Sequence, residues 1–192
     1  DWSSDVCSSD LTVTIPELSG SNQQLVYVSE SIKSADGTQE TVVVSYNSND
    51  TTVTGLGINI HYDSSAVTLV DIENILSSGL FSAPSLPAVD DTDDLDGDAA
   101  TDKYVTAAWM DLYGQWPNGA LPENLATLTF DIDNNASGST PINISLNSNA
   151  AGHEFIGFSH SIVISNEQEQ IDSPLSIDAN TGEVTLNTDP NY

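Results

Sequence analysis

The stretch GLGINIHYDSSAVTLVDI, residues 55–72, decides the fold class. Its first half alternates apolar and polar side chains, which are Ile58, Ile60 and Tyr62 on one face and Asn59 and His61 on the other. A period of two is the repeat of a β-strand, whose successive side chains point to opposite faces of a sheet. The stretch therefore predicts a strand with one face in a hydrophobic core.

The same alternation recurs in short runs that are rich in β-branched and aromatic residues and are bounded by Asn, Asp, Gly and Ser. These runs predict further strands at residues 41–46, 103–110, 124–132, 141–146 and 160–165. In one of them Leu128, Phe130 and Ile132 share a face. Residues 70–79 fit a helical turn that is too short to change the class. We predict an all-β protein, a β-sandwich of about eight or nine antiparallel strands.

The charge balance limits the partners. The 192 residues carry 29 acidic side chains against two lysines and no arginine, for a formal charge of −27. Proteins that bind nucleic acid or anionic membranes need basic side chains, so neither is expected as a partner. No apolar run is long enough to span a bilayer, so membrane insertion is not expected either.

The first eleven residues, DWSSDVCSSDL, resemble the in-frame translation of a common sequencing adapter. We expect residues 1–11 to lie outside the fold, and the sequence to be a piece of a longer protein. Cys7, the single cysteine, falls in this segment. The remaining chain lacks cysteine, which is compatible with an oxidising extracellular location but does not require it.

Residues 55–72 and 121–146 resemble two strand pairs of cohesin modules, which are related to carbohydrate-binding modules. The resemblance covers residues 12–165. It implies a jelly-roll β-sandwich and an extracellular, non-catalytic role in recognition. The acidic insertion described below departs from the pattern of the family.

The end of the sequence resembles another family. The segment LSIDANTGEVTLNTDPNY is similar to the middle of cadherin-type repeats through Leu175, Ile177, Asp178, Thr181, Gly182, Val184 and the closing DPNY. The polar run before this segment predicts a linker at residues 166–173, and the resemblance implies a partial cadherin-like repeat at 174–192. It also implies tandem Ig-like or cadherin-like neighbours in a large bacterial adhesin.

An acidic loop separates two predicted strands and holds seven aspartates, which are Asp90, Asp91, Asp93, Asp94, Asp96, Asp98 and Asp102. Ca²⁺ takes six to eight oxygen ligands, and alternating aspartates around Gly97 are typical of its loops. No EF-hand frame fits, because a start at Asp94 lacks the glycine and the final glutamate, and a start at Asp91 places Leu95 at a ligand position. The sequence predicts a calcium loop, and the alternative is a solvated acidic hairpin.

Aromatic residues follow the loop. Trp109 shares a strand face with two small apolar residues and is expected in the core. Tyr113 and Trp116 lie in a Gly- and Pro-containing turn that is expected to leave both partly exposed. They either contact a ligand or pack beneath the acidic loop. The scattered histidines His61, His153 and His160 are expected to be surface or strand residues without a metal.

The leading functional hypothesis is a non-catalytic, calcium-binding recognition module of an extracellular bacterial adhesin. Calcium would order the acidic loop and present Tyr113 and Trp116 to a protein, a peptide or a cell-surface glycan. One alternative is a structural extender whose calcium only stiffens a stalk. A second alternative is the carbohydrate-binding accessory domain of a polysaccharide-degrading enzyme.

Overall fold

The computed structural model describes residues 17–164, 175–177 and 184–186. Its strands are β1 (Gln23–Lys33), β2 (Gln39–Ser48), β3 (Gly55–Tyr62), β4 (Val67–Glu73), β5 (Leu80–Ser82), β6 (Val89–Asp90), β7 (Lys103–Met110), β8 (Glu123–Ile132), β9 (Gly138–Asn149), β10 (Glu154–Gly157), β11 (His160–Ile164), β12 (Leu175–Ile177) and β13 (Val184–Leu186). The described residues contain no helix, and so none that could cross a membrane.

Two sheets form a jelly-roll β-sandwich. The first has the order β10-β1-β2-β8-β4, and the second has the order β11-β9-β3-β7-β5 with β6 added beside β7. All the pairings are antiparallel except that of β1 with β10, which is parallel. Eight of these eleven strands are five residues or longer, which agrees with the predicted number.

Apolar side chains from both sheets form one core. The alternation within β3 is confirmed, because Ile58, Ile60 and Tyr62 belong to that core. The ring of Tyr62 meets Phe130 of the first sheet edge to face, with centroids 5.4 Å apart. The polar residues Asn59 and His61 of β3 are buried as well, so another segment of the chain must cover the outer face of the second sheet. The acidic loop supplies that cover at His61.

The six strands predicted from alternation are present. The helical turn predicted at residues 70–79 is wrong, because strand β4 runs to Glu73 and no helix follows it. β4 pairs with β8 through a register shift between Leu69 and Asp71. The extra residue places the inward-facing Leu69 and Ile72 three positions apart, which breaks the period of two and imitates a helical spacing.

The C-terminal segment is described only as the antiparallel pair β12 and β13. The adapter-like residues 1–11, the linker at 166–173 and the rest of the cadherin-like segment lie outside the described residues.

Candidate functional site

The acidic loop is a hairpin between β6 and β7. Its ends are joined where the backbone N–H of Asp91 donates to the carbonyl of Asp102 at 2.8 Å. Two left-handed residues turn the chain, Asp94 with φ 52° and Gly97 with φ 75°. Aspartate and glycine are the residues that adopt this conformation most readily, so the composition of the loop suits its path.

The loop places two carboxylates on His61, which projects from the outer face of β3. Asp91 Oδ2 lies 2.8 Å from His61 Nδ1, and Asp96 Oδ2 lies 4.0 Å from the same nitrogen. The His61 and Asp91 side chains are fully buried, and the side chain of Asp96 is 4% exposed. The other ring nitrogen of His61 is 2.7 Å from Ser145 Oγ on β9. A buried histidine and two buried carboxylates thus form one cluster, which we call the His61 cluster.

Strand β9 holds the next part of the loop. The side-chain amide of Asn143 donates to Asp96 Oδ2 at 2.9 Å and to Asp98 Oδ2 at 3.0 Å. The hydroxyl of Thr101 donates to Asp96 Oδ2 at 2.7 Å. Asp98 therefore lies beside the His61 cluster without contacting the histidine.

The structure does not bring all seven predicted metal ligands together. Asp90 pairs with Lys103 at the surface, and Asp102 accepts hydrogen bonds from the backbone N–H and hydroxyl of Ser64 at 2.7 and 2.6 Å. Asp93 and Asp94 are exposed. Of the seven, Asp91, Asp96 and Asp98 converge, and the other four point elsewhere.

Hydrogen bonds favour the charged form of two of these carboxyls. Burial raises the pKa of Asp96. Hydrogen bonds from Thr101, Asn143 and the Asp98 backbone together lower it by more than burial raises it, so the pKa lies below its ordinary value. Burial and hydrogen bonds from Ser64 act in the same two ways on Asp102, whose pKa is also lowered. Both groups are carboxylates at neutral pH.

His61 was not expected in a functional site. No metal-binding spacing marks it in the sequence, because its partners come from a loop 30 residues away and from β9. The available signal is its place on the polar face of a predicted strand. That pattern gives the direction of the side chain but not what covers it.

The two candidate ligand-binding aromatics have opposite environments. Trp116 is fully buried, and its ring packs on Tyr46 and Trp109 with centroids 4.6 and 5.9 Å away. The expectation that the turn leaves Trp116 partly exposed is wrong. Trp109 lies in the core as expected, and Tyr113 is 88% exposed.

Tyr113 belongs to a patch of exposed apolar side chains, which we call the apolar patch. Leu80 of β5 pairs across the sheet with Met110 of β7, and the chain continues into Leu112 and Tyr113. Their exposed fractions are 60%, 49%, 75% and 88%. The carboxylate of Asp111 accepts from the backbone N–H groups of Tyr113 and Gln115, each at 2.9 Å, and so fixes this turn.

No family model matches the sequence, and no curated protein matches it. Solved structures are similar. The structure of a complex between CaDoc0917 and CaCohA2 is 18% identical with TM-score 0.49 and covers 74% of this chain and 100% of its own. A ScaB type I cohesin from Pseudobacteroides cellulosolvens is 14% identical with TM-score 0.44, covering 74% and 94%. A non-cellulosomal cohesin from the archaeon Archaeoglobus fulgidus is 12% identical with TM-score 0.47, covering 77% and 95%. The jelly-roll sandwich of this chain is established by its own strand order and pairing.

Proposed function

We propose that this sandwich is a non-catalytic recognition module of an extracellular multidomain protein, and that it binds a protein or peptide ligand through the apolar patch. The observation that carries the proposal is the fixed turn at Asp111, which holds Leu112 and Tyr113 in solvent beside the Leu80–Met110 pair. Exposed aromatic and aliphatic side chains on a rigid support are the usual anchors of a protein interface.

The neighbours of Tyr113 favour a peptide over a sugar. A sugar site combines an aromatic ring with polar groups that bond the hydroxyls. Three of the exposed side chains close to Tyr113 in the chain or across the sheet are aliphatic, namely Leu80, Met110 and Leu112. The chain also carries 29 acidic residues against two lysines. We therefore propose a ligand with an apolar anchor flanked by Lys or Arg, because opposite charge speeds association and excludes acidic competitors.

A bound cation at the acidic loop and membership of a bacterial adhesin remain proposals. Support for the cation comes from the convergence of Asp91 and Asp96 at His61, since neither carboxylate forms an ion pair with a lysine among the described residues. A cation there would hold the loop against β3 and β9. The apolar patch does not depend on it, since Asp111 orders that turn by itself.

Selection from a displayed random peptide library on the full chain tests the proposed function. We expect enrichment of peptides with an apolar anchor and basic flanks, and at least tenfold weaker binding of those peptides by the variant Leu112→Ser/Tyr113→Ser. Val163→Ser is the matched control, because Val163 is 54% exposed on the far edge strand β11. It should bind the peptides as the unchanged protein does.

Three outcomes would count against the proposal. Equal loss of binding in the Val163 variant would show that the selected peptides stick to apolar side chains in general. Binding to a glycan array without any peptide would favour the carbohydrate-binding alternative. Absence of any ligand in both screens would favour a structural extender.

A further inference from the structure

We propose that the His61 cluster is a binding site for a divalent first-row transition ion such as Zn²⁺, with His61 Nδ1, Asp91 Oδ2 and Asp96 Oδ2 as its ligands. The inference rests on the proposal that the acidic loop binds a cation, and it names a different class of cation from the calcium predicted by the sequence. The class of cation differs because His61 of β3 supplies a nitrogen ligand, which the sequence pattern did not predict.

Charge is the first argument. The Asp91 and Asp96 side chains are almost completely removed from water, and Asp98 lies on the same Asn143 amide as Asp96. The chain has two cationic side chains, of which Lys103 is engaged by Asp90 and Lys33 donates to the carbonyl of Val163 on a distant strand. Buried charges are normally paired or bound to a metal. Even a protonated His61 would leave one of the two ligand carboxylates unbalanced, whereas a divalent ion with neutral His61 balances both.

Geometry is the second argument. The three donor atoms lie within 4.8 Å of one another, and the two distances from His61 Nδ1 are 2.8 and 4.0 Å. Zinc takes nitrogen and carboxylate donors at about 2.0–2.2 Å in a tetrahedron, which places neighbouring donor atoms roughly 3.3–3.6 Å apart. The observed distances lie on both sides of that value. Small side-chain rotations would therefore bring the donors into place, with the fourth position left for water or Asp98.

The surroundings of the ligands are the third argument. A histidine bound to a metal usually donates its other ring N–H to a fixed acceptor, which sets the tautomer. Ser145 Oγ, 2.7 Å from His61 Nε2, is placed to accept that proton and leave the Nδ1 lone pair facing the carboxylates. The second oxygens of the two carboxylates are also held, Asp91 Oδ1 by the Leu95 N–H at 3.1 Å and Asp96 Oδ1 by the Asp98 N–H at 3.2 Å.

Calcium suits this cluster less well. It needs six to eight oxygen ligands at about 2.3–2.6 Å, and the cluster offers two carboxylate oxygens, Asp91 Oδ2 and Asp96 Oδ2, and a nitrogen. Imidazole combined with carboxylate is a donor set typical of zinc and its neighbours in the first transition row. The nitrogen ligand thus separates the two ion classes.

Titration calorimetry of the metal-free full chain with Zn²⁺, and in a separate run with Ca²⁺, tests the proposal. We expect one Zn²⁺ per chain, and visible absorption bands of tetrahedral Co²⁺ when cobalt is used as the spectroscopic probe. Asp91→Asn and His61→Gln should each weaken Zn²⁺ binding at least tenfold and remove those bands. Asp93→Asn is the matched control, because Asp93 lies in the same loop but is exposed. His153→Gln is the control for a second histidine that pairs with an aspartate, Asp50.

The other outcomes are distinguishable. If Ca²⁺ binds and Zn²⁺ does not, the loop binds a cation but the inference is wrong. If Zn²⁺ binds equally well to the Asp91 and His61 variants, the ion sits elsewhere and the inference is wrong. If neither ion binds, both the inference and the cation proposal fail, and the cluster is a buried histidine–aspartate pair. Asp96→Asn serves as a third ligand variant should His61→Gln lose its folded circular dichroism spectrum.

Discussion

Two aromatic residues three positions apart, Tyr113 and Trp116, show what the sequence could and could not predict at the scale of the residue. Both lie in a Gly- and Pro-containing turn, and nothing in the local pattern distinguishes them. The difference arises because Trp116 forms an isolated β-bridge with Val53. The backbone N–H of Trp116 donates to the Val53 carbonyl at 3.1 Å. That bridge directs the indole into the core against Tyr46. A pairing partner 63 positions away cannot be derived from local alternation.

Trp116→Ala should destabilise the fold strongly, by roughly 3–5 kcal/mol, because it leaves a cavity between the sheets. Urea unfolding followed by circular dichroism measures the change. Trp116→Phe should lose much less, because the indole N–H has no hydrogen-bond partner among the described residues and its removal relieves a buried donor. Tyr113→Ala should change stability by less than about 0.5 kcal/mol. A mild effect of Trp116→Ala would show that this side chain is not part of the core.

At the scale of the element, strands were predicted where a period of two persists, as in β3, β7 and β8. β1 was not predicted because residues 25–28 are four consecutive apolar residues, buried on both faces, so no alternation marks them. Strands β5, β6 and β10 have two to four residues, which is too few to show any period. The acidic loop was found by composition, but its contact with β3 and β9 was not, because hairpin sequence does not determine which sheet face a hairpin covers.

Glycine at the start of β3 is required by the packing of β3 on β7. Gly55 has φ 133°, and a Cβ atom there would lie 2.1 Å from the carbonyl oxygen of Trp109. Gly55→Ala should therefore be far more destabilising than Gly37→Ala, whose site has φ 72° and open space around it. We expect about 1–2 kcal/mol for Gly37→Ala from the left-handed conformation alone, and at least twice that for Gly55→Ala. Equal losses in urea unfolding would contradict the proposed backbone clash.

At the scale of the whole molecule, the net charge and the hydrophobic core have opposite effects on the stability of the fold. The chain of 192 residues carries a formal charge of −27, and its sandwich packs apolar side chains from both sheets in one core. Net charge far from zero keeps a protein soluble, but its self-repulsion opposes the compact state. The net charge, and therefore this effect, follows from the composition alone. Which carboxylates are buried together depends on the tertiary structure.

The melting temperature should rise with salt, because added ions screen the repulsion between surface carboxylates. Raising NaCl from about 10 mM to about 0.5 M should stabilise the fold by on the order of 1 kcal/mol, or roughly 2–4 °C. Differential scanning calorimetry with a chelator present excludes any contribution from divalent ions. An equal concentration of particles supplied as sucrose is the control for exclusion of solute from the surface. A flat or falling melting temperature in NaCl would show that long-range repulsion is not significant.

The backbone hydrogen bond between Asp91 and Asp102 has a consequence for how this protein can change over time. Because the hairpin leaves and re-enters the sheet at one paired position, its contents can be exchanged without shifting the register of β7. Descendants of such a gene can lengthen, shorten or replace the excursion while inheriting the same sheet beneath it. A new loop sequence at this position therefore needs few compensating changes in the two sheets, apart from those that keep His61 covered.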